Sequence, residues 1–232
     1  MKNKMMASLL VGSAVVGASL APLSAQATTT GDTPVTAEFA GGTLPDQEDN
    51  TGGSVDPDPG TSNTDFDLLT IPNSFDFPLT KIGEDLSALK ENSSVGKSVM
   101  VGDVRGTKEG WHVTGEIMEM SNGADKLDGQ FDFGMVPFYA RFDAETGRYK
   151  GFDIQNGVLI ADDPVAPTFS GTSIKIGGGA TTLANATVGK GQGMWGGRFD
   201  NLTLNVTTPT QQLKKGVYTG NIVWNLVAGP SI

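Results

Sequence analysis

An all-β fold, a two-sheet sandwich of short antiparallel strands joined by long loops with at most a short helix, follows from three features of the sequence. Short runs alternate apolar and polar residues, as in Trp111-His112-Val113 and Ile222-Val223-Trp224-Asn225-Leu226. Turn pairs punctuate them, among them Asn122-Gly123, Thr146-Gly147 and Asn156-Gly157. No long stretch carries apolar residues at the 3.6-residue spacing of a helix.

Taken in order, Met1 to Ala27 reads as a secretory signal peptide. Lys2 and Lys4 form a basic start, Met5 to Leu20 an apolar centre, and Ala25-Gln26-Ala27 a small-x-small cleavage site. The domain proper then spans residues 28–232. Removing the leader takes away two lysines and no acid, so the net charge moves from −10 to −12. An acidic exported chain argues against a nucleic-acid binder. With no cysteine, stability has to come from a packed core and not from disulfides. No second apolar run or basic tail follows the last strand, so retention on a cell would be non-covalent.

Pro34 to Leu44 is expected as a strand through Val35, Ala37 and Phe39. Residues 45–63 are rich in Pro, Asp and Gly and read as a mobile loop. Its carboxylates lack the glycine and distal glutamate of a calcium loop. Asp65 to Leu79 is read as two short strands, or a strand and a turn, and Gly83 to Asn92 as one or two helical turns. Strands are then expected over Ser98–Val104, Trp111–Met120, Gln130–Phe133, Phe138–Phe142, Arg148–Ile154, Gly157–Ala161 and Thr172–Ile176, with another continuing through Gly197–Leu204. The last strand carries Tyr218, Ile222, Trp224 and Leu226 on one face.

Catalytic signals are weak. His112 is the single histidine and has no cysteine or second histidine to complete a metal or nucleophile set. No carboxylate pair is singled out by its neighbours for glycosidase chemistry. Gly191-Gln192-Gly193-Met194-Trp195-Gly196 matches a dinucleotide fingerprint as a string, but a strand follows where a helix N-terminus would have to receive the phosphates. The chain is therefore read as a non-enzyme with no cofactor and no metal site.

Tryptophan is the informative residue type. Trp111 and Trp224 each sit two positions before an aliphatic residue, Val113 and Leu226, and Trp195 sits in the glycine-rich stretch. Indoles serve either as core or as platforms for sugar rings, and the sequence leaves both roles open. Together with Val35–Leu44, Phe75-Asp76-Phe77, Gly189–Trp195 and the ending Trp-Asn-Leu-Val-Ala-Gly-Pro, these motifs resemble the WxL-domain surface proteins of Gram-positive bacteria. The first motif ends in Val113 in place of leucine. The resemblance implies a secreted cell-surface protein held on the wall by peptidoglycan binding, in a complex with membrane-anchored WxL-interacting surface proteins. Trp111, Val113, Trp195, Trp224 and Leu226 are the expected binding residues. The alternative is an adhesin or interaction subunit that docks on a membrane-anchored partner or host ligand, with wall binding secondary.

Overall fold

The computed structural model describes residues 32–48, 52–93 and 96–231; the expected signal peptide lies outside them. The chain divides into two units, Met1–Glu38 and Phe39–Ile232. Of the first, residues 32–38 are exposed and form no strand.

The second unit is built from strands β1 (Ser54–Val55), β2 (Phe66–Pro72), β3 (Leu89–Lys90), β4 (Ser98–Asp103), β5 (Trp111–Ile117), β6 (Met120–Asn122), β7 (Asp125–Leu127) and β8 (Gly129–Asp143). These are followed by β9 (Arg148–Phe152), β10 (Ile154–Gln155), β11 (Val158–Leu159), β12 (Thr168–Phe169), β13 (Thr172–Lys175), β14 (Thr181–Ala186), β15 (Gly193–Val206) and β16 (Ile222–Ala228). Two 3-10 turns, Ile160–Asp162 and Thr210–Gln212, are the helical content of the described residues.

An eight-stranded antiparallel sheet runs β1-β2-β4-β15-β8-β13, with β3 added on β15 and β9 on β8. A four-stranded sheet, β12-β14-β5-β16, covers part of one face. The main core lies between them, where Val99, Val101, Phe133, Trp195 and Phe199 of the large sheet meet Trp111, Val113, Ile117 and Leu183 of the small one. The all-β sandwich expected from the alternation is the fold found, because one apolar face per strand is satisfied only by a second layer.

All six residues of β4 are buried, since both faces of this strand are covered. Val99 and Val101 face the main core, while Met100 joins Leu44, Leu69, Phe138, Ala140 and Tyr149 in a second cluster on the outer face. Residues 41–48 form the cover there. The Gly42 N–H donates to the Val104 carbonyl (2.9 Å), and the Leu44 N–H to the Thr64 carbonyl (2.9 Å). Tyr149 Oη donates to the Pro45 carbonyl at 2.5 Å.

Several expectations need correction. Residues 34–44 are not a strand: they make single hydrogen bonds and no ladder, and Val35 and Phe39 are 92% and 93% exposed. Gly83–Asn92 is not helical, because Leu89–Lys90 pairs instead with Thr203–Leu204. The two runs Gln130–Phe133 and Phe138–Phe142 are one 15-residue strand, β8. Pro137 interrupts the pattern but not the strand, since it falls between the β13-paired and β9-paired stretches, where β8 is laddered to β15 alone. The 45–63 tract is partly built into the fold: Ser54 is buried, pairs with Pro72 in β2 and exchanges hydrogen bonds with Ser98. At Asn156-Gly157 the positive φ values, 51° and 80°, are those a two-residue type I′ hairpin demands.

Candidate functional site

The two tryptophan motifs are neighbours in space. β16 pairs antiparallel with β5 so that Leu226 stands opposite Val113, Trp224 opposite Gly115 and Ala228 opposite Trp111. Both indoles thus leave the strand pair on the inner face, at opposite ends of it. Gly115 explains how Trp224 fits. A Cβ there would lie 3.3 Å from Trp224 Cζ3 and 3.1 Å from both Ile174 Cδ1 and Leu183 Cδ1, so the missing side chain is the space the indole occupies.

At the Trp111 end, two indoles hold one loop. Trp111 Nε1 donates to the Gly191 carbonyl at 3.0 Å, and Trp195 Nε1 to the next carbonyl, Gln192, at 3.0 Å. Gly191 adopts φ 77°, and a Cβ would sit 2.4 Å from Ala186 Cβ and 2.6 Å from Trp111 Nε1, so only glycine brings the loop this close. Trp111 and Val113 are 0% exposed and Trp195 4%, so none of the three presents its side chain to solvent. Trp195 also packs on Tyr139, ring centroids 5.0 Å apart. Tyr139 Oη donates to Asp163 Oδ2 at 2.8 Å, and burial, reinforced by that carboxylate, pushes the phenol up to about 12.

Neighbouring segments join this end. The Gly189 N–H donates to the Lys108 carbonyl (2.8 Å), the Gly229 N–H to the Gly110 carbonyl (3.0 Å), and the Gly191 N–H to the Val165 carbonyl (2.9 Å). His112 Nδ1 lies 2.9 Å from the Gly229 carbonyl; a carbonyl only accepts, so Nδ1 carries the proton. Arg105 closes the 104–110 loop. Its Nε and Nη2 bind both oxygens of buried Asp103 at 2.9 and 2.8 Å, with Glu109 as a further partner, and Asp103 raises the guanidinium further above its ordinary value. The result is a hydrogen-bonded rim from which Thr107, Lys108, Lys190 and Gln192 project into solvent.

At the Trp224 end the two sheets part around a groove of about 1140 Å³. Its floor is Phe131, Leu204 and Val206 of the large sheet, and its walls include Ile222, Trp224 and Phe77. Trp224 is half-buried and meets Phe199 edge-on at 5.9 Å; Phe199 meets Phe75 at 5.3 Å and Phe133 at 5.0 Å in the same manner. Leu226 is half-buried as well. Phe75 is held from outside by Lys97, whose Nζ stands 5.2 Å from the ring and binds Glu91 Oε1 at 2.5 Å and the Ser74 carbonyl at 2.6 Å.

Of the five residues expected from sequence, Val113 and Leu226 are brought together, Trp111 and Trp195 converge on one loop, and Trp224 stands apart at the groove. The roles of Gly115, Gly191 and Phe199 were not foreseen. A glycine inside a strand pattern is the signal that points to Gly115; nothing local marks Phe199. Among the described residues no group of three or more His, Asp or Glu side chains is placed to hold a metal ion.

A family model described as WxL domain surface cell wall-binding matches residues 25–230. The chain belongs to the WxL family. In this WxL domain Trp224-Asn225-Leu226 carries the full motif and Trp111-His112-Val113 a variant of it, and the two lie side by side on β16 and β5. No curated protein and no solved structure matches the chain. The WxL domain is a cell wall-binding domain, and it associates this protein with the cell wall and cell surface.

Proposed function

We propose that the protein is secreted and binds peptidoglycan non-covalently through the rim at the Trp111 end of the WxL domain, as one component of a Gram-positive surface complex. The observation that carries this reading is the pair of indole hydrogen bonds to consecutive carbonyls, Gly191 and Gln192. Two buried tryptophans spent on one short exposed loop fix its backbone in advance of binding, which lowers the ordering cost when a polymer docks. A hydrated glycan needs polar partners, and Lys108, Lys190, Gln192 and Thr107 supply them. The apolar floor of the groove would leave sugar hydroxyls unpaired. Val113 and Leu226 act in this scheme by holding β16 in register, so that Gly229 and Ser231 reach the rim. There the Ser231 N–H donates to Asn185 Oδ1 at 2.8 Å. Trp224 anchors the same strand at its other end.

The test is retention on purified cell walls by the triple variant Lys108→Ala, Lys190→Ala, Gln192→Ala. All three side chains are exposed, so the fold is expected to survive. The expected result is loss of most binding; undiminished retention with an unchanged circular dichroism spectrum would sink the proposal.

The second reading is an adhesin or interaction subunit docking on a membrane-anchored partner or host ligand. It draws on the groove and on β16, which among the described residues is laddered on one side only. A stoichiometric partner that keeps the triple variant on the cell would favour it.

A further inference from the structure

We propose that the groove beside β16 receives residues 34–40 of a second copy of this chain as an added strand, joining molecules head to tail. This goes beyond wall binding and uses the opposite end of the domain.

The acceptor is an unfinished layer. β16 ends the four-stranded sheet, pairs with β5 alone, and has no strand on its other side among the described residues. An edge of this kind presents unused backbone donors and acceptors. β16 itself carries no charged residue and no proline to blunt it. Alongside it a groove of about 1140 Å³ reaches from Ile222 and Trp224 across Phe131, Leu204 and Val206 to Ile71 at the end of β2, bordered by residues 73–82 and 213–221. That is the place of the next strand in the small sheet: its backbone would pair with β16 and alternate side chains would fall onto the floor.

The donor is the segment whose strand signature the fold leaves unused. Pro34-Val35-Thr36-Ala37-Glu38-Phe39-Ala40 alternates apolar and polar residues and matches β16 in length, 7 residues. Val35 and Phe39 are 92% and 93% exposed. A proline at the first position is compatible with strand addition. Charge agrees as well. The groove is lined by Lys81, Lys214 and Lys215 against Asp76, a basic balance on a chain of net charge −10, and Lys214 already binds Asp125 at 3.1 Å. The donor brings Glu38, with Asp32 just before it.

The point at which the donor joins the sheets lies on the other face of the large sheet from the groove. The Gly42 and Leu44 N–H groups tie the chain to Val104 and Thr64, and Leu44 packs on the outer face of the large sheet, whereas the groove opens at its inner face. Donor and acceptor are different surfaces, so the contact is heterologous and does not close on itself.

The test measures mass by light scattering across a concentration series, for the purified protein and for a variant lacking residues 32–39. The protein is expected to exceed the mass of a single chain progressively, and the deletion to remain a monomer. A synthetic peptide of residues 32–41 is expected to bind the deletion variant and to bind Lys81→Glu, Lys214→Glu, Lys215→Glu in the same background about tenfold more weakly at low salt. Association that persists in the deletion variant overturns the proposal. So does a protein monomeric at every concentration, whether the peptide fails to bind or binds only after the deletion, the latter outcome placing the segment in its own groove.

Discussion

Val113 on β5 and Leu226 on β16 face each other across the antiparallel ladder, so the third residues of the two tryptophan motifs form one cross-strand pair. Val113 is 0% exposed, and Leu226 is half-buried at the sheet edge. The smaller residue sits where the core is closed, the larger where it is open. Val113→Leu, which would complete the first motif, is therefore expected to destabilise by about 1–3 kcal/mol through overpacking. Leu226→Ala should cost about 1–2 kcal/mol, below the range for a fully buried leucine. Denaturant midpoints at unchanged slope check both, and the exchange Val113→Leu with Leu226→Val is expected to cost less than the sum of its parts.

Gly115 holds the place of the Trp224 indole. Gly115→Ala puts a methyl 3.1 Å from Ile174 and Leu183 and 3.3 Å from Trp224, and is expected to cost about 1–3 kcal/mol and to alter the near-ultraviolet dichroism of the aromatic cluster. An unchanged spectrum and midpoint would show that Trp224 has room to move.

Trp111→Phe and Trp195→Phe each leave a carbonyl of the 191–192 pair without its indole donor. Each is expected to cost about 1–3 kcal/mol. Because one loop carries both bonds, the double variant should lose less than the two single losses added together. Both single variants should also lose wall retention, although neither side chain reaches the surface.

Tyr139 gives the fold an alkaline limit. Its phenol is raised from 10 to about 12 by burial and by Asp163, so the neutral form is favoured in the folded chain. That contribution is fully present below pH 10, the unfolded value, and disappears as pH rises through about 12. Tyr149 is displaced upward as well, chiefly by burial, and acts with the same sign. Stability should fall steeply in this window, and Tyr139→Phe should make the fall shallower in a pH series of thermal unfolding.

Lys97 and Glu91, with side chains 6% and 10% exposed, brace Phe75 from outside the aromatic cluster. Lys97→Met leaves the Glu91 carboxylate buried without its cation and is expected to cost about 3–5 kcal/mol. Lys97→Met with Glu91→Leu should cost much less. A small penalty for the single variant would mean that water reaches the pair.

The layer architecture was readable because a strand with one buried face writes its burial into every second residue. Trp111, Val113, Gly115 and Ile117 face inward and the residues between them are half-exposed, as the alternation says. The turns were readable for a similarly local reason, since Asn156-Gly157 can satisfy two positive φ values where most dipeptides cannot. Residues 34–44 misled because alternation states which face a strand would bury, not whether a partner exists to pair with it. The reading of Gly83–Asn92 as helical turns misled because it rested on the local chain alone, while the available edge of β15 paired with Leu89–Lys90.

For the candidate site, sequence by itself determined that Trp111 and Trp224 carry aliphatic neighbours on their own faces, because period-two alternation is a property of the local chain. Only the tertiary structure decided that the motifs meet at Val113 and Leu226, that Trp111 and Trp195 share one loop, and that Trp224 borders an open groove. Those facts depend on register and on sheet stacking between residues about a hundred positions apart, and no spacing along the chain encodes which strand edge another will find.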